Sequence, residues 1–280
     1  AKGSGNITPS GKYTAPEDAA HQAVYVTATV GDIEGVARIR VMPDLPYHFD
    51  FEKTAIDLKN RAGKPYGDAP VTWVGIRYRH EVREVDGNKL LTKVTTIPKG
   101  ARSQGFIGRP DMHDYTMQAD VMGQLVVDSD TRQRLADEGR QPTKSDGKMP
   151  EIGLNVQGYT FAIQGNNQLI QLRTWVTQER LALHPANRNA DGTSKCKFAF
   201  QWEPNTWYTM KLKVANVGDV AKLYGKVWPR GEAEPDAWTI QCEDPAPQRV
   251  GAPGFYGDAN FAELYIDNIS VTPNESTAAE

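Results

Sequence analysis

Residues 152–177 read IGLNVQGYTFAIQGNNQLIQLRTWVT. Three strand-like runs, 152–156, 159–164 and 168–177, lie end to end, with the GNN turn at 165–167 before the third. In the third run Gln171, Arg173 and Trp175 share one face, because side chains alternate along a strand. Leu172, Thr174 and Val176 share the other. A polar row backed by a mostly apolar one describes a sheet with its back in a core and its front open to solvent or ligand.

The same pattern extends outward. Further strands are predicted at 47–52, 71–79, 90–95, 115–122, 196–202, 207–215, 220–228, 237–242 and 261–272, with turn signals DGN at 86–88, ANRNADG at 186–192 and VGD at 217–219. A dozen short strands with such punctuation predict an all-β, two-sheet sandwich of jelly-roll type. The exception is the polar stretch 128–149, read as a solvated loop with a short helical turn around TRQRLADEG. With 280 residues and 39% hydrophobic content the chain can bury a sizeable core. Its net charge of −3 comes from intermingled signs without a basic stripe, which argues against nucleic acid as a partner. No run approaches the ~18 apolar residues of a membrane helix. AKGSGNITPSGKY at the start lacks the layout of a signal peptide, so any export signal is expected to have been removed.

Residues 24–30, VYVTATV, and 36–41, VARIRV, alternate on either side of GDIEG and predict a hairpin. Together with NITPSGKYTAP at 6–16, they resemble the closing strands of a bacterial immunoglobulin-like domain. Residues 1–43 are therefore expected to be the end of such a domain, with its other strands upstream in the same polypeptide. Pro43, Asp44 and Pro46 form a stiff joint to the next unit. An isolated hairpin is marginal in water, so this one must pack on the rest, pair with a second chain, or belong to a longer polypeptide.

From residue 44 the motifs carry a family likeness. FIGRPDMHDYTMQADVMG (106–123), IGLNVQGYTFAI (152–163), WYTMKLKV (207–214), KVWPRGEAEPDAWTI (226–240), GAPGFYG (251–257) and YIDNISV (265–271) resemble the concanavalin A-like lectin/glucanase (LamG-like) jelly roll. More narrowly, they are similar to the version at the carboxyl end of secreted bacterial proteins with a PQQ-binding-like β-propeller. The resemblance covers 44–273 and leaves 274–280 as a flexible tail. It implies a non-catalytic module binding polysaccharide or cell-surface glycan, located in a secreted, periplasmic or cell-surface protein, with no organic cofactor in this segment. Two alternatives stand beside it: a glycosidase-like enzyme of the 3-keto-disaccharide hydrolase type, and an assembly subunit forming a homo-oligomer through the hairpin edges. In such domains the W-P-x-G-x-x-E-P-x-x-W turn is structural, with Trp228 and Trp238 expected as a cross-strand staple between Pro229 and Pro235.

Glucanases on this fold use an E-x-D-x-x-E strand, which puts two carboxylates on one face. The nearest acidic clusters here are EVREVD at 81–86 and DMHDY at 111–115, and neither has that pattern. Asp111, His113 and Asp114 read either as metal ligands or as the polar entrance to a strand. For sugar contact on the concave sheet the candidates are Tyr159, Gln171, Arg173, Trp175 and Trp202, with Trp207 and Gln178 beside them. The resemblance also implies a structural Ca²⁺ held by Asp267 in the last strand, with Asp50 or Glu52 near it if first and last strands pair. Cys196 and Cys242, each in a strand-like run, read as an inter-strand disulfide or as two buried free thiols, and the disulfide is the expectation carried forward.

Overall fold

The computed structural model describes residues 3–76, 79–94, 102–174, 179–258 and 263–275. Two antiparallel sheets face each other. The eight-stranded sheet runs, edge to edge, Ile240–Asp244, Val220–Pro229, Trp207–Val217, Tyr115–Gly123, Leu264–Pro273, Asn88–Lys93 and His80–Val85, and Tyr47–Phe49 also pairs with Leu264–Pro273. The six-stranded sheet runs Arg102–Phe106, Gly254–Asp258, Glu151–Val156, Tyr159–Gln164, Leu169–Thr174 and Lys197–Ala199. The chain is an all-β sandwich, as its strand punctuation predicts.

Between the sheets lies one core. Leu154, Phe161 and Leu172 from the smaller sheet meet Met117, Leu212 and Ile266 from the larger one, each 1% exposed or less. Gly225 leaves no room for a side chain: a Cβ there would stand 2.8 Å from Ile240 Cγ2 on the neighbouring strand and 3.0 Å from the Phe161 ring of the opposite sheet.

Three strands escape the sequence pattern. His80–Val85 is half-polar, Arg102–Phe106 opens on three polar residues, and Gly254–Asp258 has two glycines in five, so none shows an apolar period. Gly254 is required by close approach, since a Cβ there would lie 2.0 Å from the Gly105 carbonyl oxygen. The predicted strand at 71–79 does not form over its described part. Val74 makes an isolated bridge to Phe106 instead. The polar insertion does hold a helix, Ser129–Asp137, capped by the Asp128 carboxylate accepting from the Thr131 N–H at 2.9 Å.

The turn from Pro229 to Ile240 folds over the outer face of the larger sheet. Trp238 packs on Tyr224 with ring centroids 5.5 Å apart, under the Lys226 ammonium at 4.7 Å from its ring. Among the described residues no ring contact joins Trp238 to Trp228, so the staple expected between the two tryptophans is corrected to a Tyr224–Trp238 pair. The acidic turn residues do more than face solvent. Glu234 reaches Lys211 at 2.8 Å and Lys226 at 2.6 Å, and these two cations outweigh burial in holding its carboxyl below the usual range.

Residues 22–41 form the expected hairpin, Gln22–Val30 with Ile33–Val41, which among the described residues joins no other sheet. Its base rests on the sandwich. Val24 and Val41 are buried, the His21 ring meets Tyr47 at 4.6 Å and Phe49 at 5.2 Å, and Arg38 donates to the Val71 carbonyl at 2.8 Å. Its far end is apolar and open, with Val30 80% and Ile33 77% exposed.

Candidate functional site

The strand Leu169–Thr174 supplies the centre of the site. Its register through Tyr159–Gln164 and Glu151–Val156 to Gly254–Asp258 sets Arg173, Thr160 and Asn155 in one cross-strand row. Gln171, Ala162, Gly153 and Tyr256 form the next row. Both rows lie on the face turned away from the core. Lys197, on the edge strand, is the register partner of Gln171 and stands exposed on the same face.

Small residues make the geometry possible. Gly153 and Ala162 sit between Gln171 and Tyr256, so nothing bulky keeps Arg173 from crossing the sheet toward the tyrosine. The guanidinium carbon lies 4.6 Å from the centre of the Tyr256 ring, a cation–π contact, and Nη2 is 4.0 Å from Glu151 Oε2. Tyr256 donates its hydroxyl to the same Glu151 oxygen at 2.9 Å. Burial first, then that carboxylate, pushes the phenol up to about 12. Alongside, Asn167 donates to Gln164 Oε1 at 2.9 Å, and Gln164 donates to Gln171 Oε1 at 3.1 Å. Thr160 donates to Asn155 Oδ1 at 2.6 Å.

The row is closed rather than solvated: Gln171 is 2%, Arg173 3% and Asn155 3% exposed. Each nevertheless keeps buried nitrogen without a hydrogen-bond partner, at Arg173 Nε and Nη2, Gln171 Nε2 and Asn155 Nδ2. A buried donor left unpaired costs about 1–3 kcal/mol, so folded chains rarely leave several side by side. The orphans on this face are all donors, and they come from two strands, Leu169–Thr174 and Glu151–Val156.

The other sequence candidates are placed elsewhere. Tyr159 is opposite Thr174 in register and turns into the core, fully buried, its hydroxyl donating to Asp244 Oδ2 at 2.7 Å. Trp202 is also fully buried, its ring against Gly123. Neither presents a ring to a sugar. Trp207 belongs to the larger sheet and carries the Arg230 guanidinium at 4.2 Å. Trp175 and Gln178 lie outside the described residues. Glu151, Asn155 and Tyr256 were not foreseen. The alternation of Glu151, Gly153 and Asn155 in EIGLN held a signal for two of them, whereas Tyr256 lies in a strand the sequence hides.

The carboxylates expected around an ion are spread out. First and last strands do pair, Phe49 opposite Ile269, with Asp50 just beyond the paired residues. Asp267 is buried and accepts from Asn88 Nδ2 at 2.9 Å and the Asn268 N–H at 2.8 Å. Asp50 and Glu52 are exposed, and Glu52 accepts from the Lys89 N–H at 3.1 Å. Among the described residues no group of three or more His, Cys, Asp or Glu side chains is placed to hold a metal ion. In the DMHDY cluster Asp111 is taken by Arg109 at 3.2 Å, and Asp114 by His113 at 2.7 Å and the Asn216 N–H at 2.6 Å. That is the arrangement of a strand entrance.

Cys196 and Cys242 do come together, but as free thiols, which corrects the expected disulfide. Both are buried, and a hydrogen bond with the Cys196 thiol, followed by burial, pushes the Cys242 thiol far up. Close by, Arg180 grips the fully buried Asp244 carboxylate through both terminal nitrogens.

No protein-family model matches the chain, and no curated protein matches it. Solved structures similar to it include carbohydrate-binding module CBM66 from Bacillus subtilis, 12% identical over 72% of this chain and 92% of that one, with a TM-score of 0.34. Lectin II from Ulex europaeus is 11% identical over 83% and 99%, with a TM-score of 0.39. A GH131 β-glucanase catalytic domain from Podospora anserina is 7% identical over 82% and 96%, with a TM-score of 0.39. Identities and TM-scores this low carry neither residues nor activity across.

Proposed function

We propose that the chain is a non-catalytic module that recognises polysaccharide or cell-surface glycan, within a larger secreted bacterial protein of the propeller-bearing kind its motifs resemble. The observation that carries this reading is the set of N–H donors without a hydrogen-bond partner, on Arg173, Gln171 and Asn155, on the outward face of the six-stranded sheet. Sugar hydroxyl and ring oxygens accept such hydrogen bonds, and aligned donors on a rigid sheet would fix a glycan's orientation. Glycan-array binding followed by calorimetry tests it: retention of an oligosaccharide without release of reducing ends, weakened several-fold by Gln171→Ala, is expected. Equal binding by the variant rejects this face as the site.

A hydrolytic reading would draw on Glu151 and Asp258, register partners on the same face. Glu151 is engaged by Tyr256 and Asp258 has a partner of its own. Release of reducing sugar that Glu151→Gln abolishes would establish the enzyme instead. An assembly role rests on the hairpin, whose apolar far end stands open at Val30 and Ile33. A concentration-dependent dimer lost in the Val30→Lys, Ile33→Lys double variant is its signature. For the structural Ca²⁺, support comes from the pairing of first and last strands, Phe49 opposite Ile269. A Tm raised by Ca²⁺ and lowered again by chelator is expected, and an unchanged Tm rejects the ion.

A further inference from the structure

We infer that the glycan taken by this face is anionic, and that Arg173 reads its charged group. This rests on the glycan-binding reading and adds the ligand's chemical class. The Arg173 atoms without a hydrogen-bond partner are Nε and Nη2, on the same edge of the guanidinium, with the Glu151 carboxylate 4.0 Å from Nη2. Two parallel N–H donors on one edge form the fork that matches a pair of oxygens on a carboxylate or a sulfate ester, and bidentate charge-assisted bonds of this kind are about twice as strong as neutral ones. Amide ends can turn to offer oxygen or nitrogen, but a guanidinium only donates, so its orphaned edge fixes the polarity of the missing partner.

The surroundings hold that edge in place. The ring of Tyr256 lies 4.6 Å from the guanidinium carbon, and Glu151 stands 4.0 Å from Nη2. Glu151 also takes the Tyr256 hydroxyl, so its charge is shared between phenol and guanidinium. Its side chain is 21% exposed while that of Arg173 is 3% exposed, which leaves the arginine charge only partly compensated in a site closed to water. Lys197, exposed beside Gln171 on this face, adds a second positive charge at the rim. A neutral glycan can offer the fork single hydroxyl oxygens, whereas a carboxylate or sulfate offers two oxygens and a negative charge together.

Calorimetry with two matched probe pairs tests the inference: tetragalacturonate against its methyl ester, and a sulfated galactan tetrasaccharide against its desulfated form. The expected result is that at least one acidic probe binds about tenfold or more tighter than its neutral partner, with the carboxylate and sulfate arms telling the two groups apart. Arg173→Lys, which keeps the charge and loses the fork, is expected to erase most of that preference. Lys197→Gln, at an exposed position, is expected to reduce binding of the acidic probe two- to fivefold. Neutral probes binding as tightly as acidic ones, with Gln171→Ala weakening both, would overturn the anionic ligand and keep the glycan site. No binding by any probe or array glycan would overturn both.

Discussion

Tyr159 and Arg173 lie one strand apart and do different work. Tyr159 holds Asp244, which is also gripped by Arg180, and its hydroxyl accepts from the Gln248 N–H at 2.8 Å. Tyr159→Phe is expected to cost about 1–2 kcal/mol in denaturant unfolding, because the Gln248 N–H loses its acceptor, while glycan binding stays unchanged. Burial alone would raise the Asp244 carboxyl, but Arg180 and Tyr159 hold it below the usual range. Its stabilisation is therefore present above the ordinary carboxylate range and is lost as pH falls through the depressed value. Asp267 has the opposite sign. Burial, with Asp120 adding to it, raises its carboxyl, so the stability it contributes is present at low pH and lost as pH rises through the raised value. The Tm of Asp267→Asn relative to the parent chain should climb as pH rises above the ordinary carboxylate range; a constant difference would contradict the shift. The thiol pair gives a third test at this scale. Cys242 is expected to resist a thiol reagent in the native protein, and two thiols should titrate after denaturation without reductant.

At the level of strands, the sequence was most legible where apolar and polar residues alternate and least legible where they do not. Leu169–Thr174 alternates, and its outward pair Gln171 and Arg173 was assigned to one face from the sequence alone. Tyr159–Gln164 is buried along its whole length, so composition carries no phase, and only pairing with its neighbours decides that Tyr159 turns inward and Thr160 outward. Glycine hides strands for a related reason: in Gly254–Asp258 it is selected by how closely backbones meet, which no periodicity records. Gly225 shows the energetic side of that closeness. Gly225→Ala must push against Ile240 and the Phe161 ring, and a loss of about 1–3 kcal/mol in unfolding free energy is expected, larger for Gly225→Val. A neutral or stabilising Gly225→Ala would mean that the sheets stand farther apart than described.

For the molecule as a whole, an all-β sandwich follows from the number and spacing of strands, whereas the face that matters chemically depends on which strands become neighbours. Tyr256 lies 83 positions beyond Arg173 in the chain, and their contact exists because Gly254–Asp258 pairs with Glu151–Val156. Closure of the row also constrains how it binds. Donors 2–3% exposed can meet a glycan only after the face opens, so association is expected below the ~10⁵ M⁻¹s⁻¹ of preformed surfaces, and a diffusion-limited rate would contradict the closed row. The most direct test of the account is a titration of the isotope-labelled chain with the oligosaccharide that binds best, followed by backbone and side-chain NMR. Shifts centred on Arg173, Gln171, Asn155 and Tyr256 are predicted; shifts confined to the larger sheet or the hairpin would contradict the site.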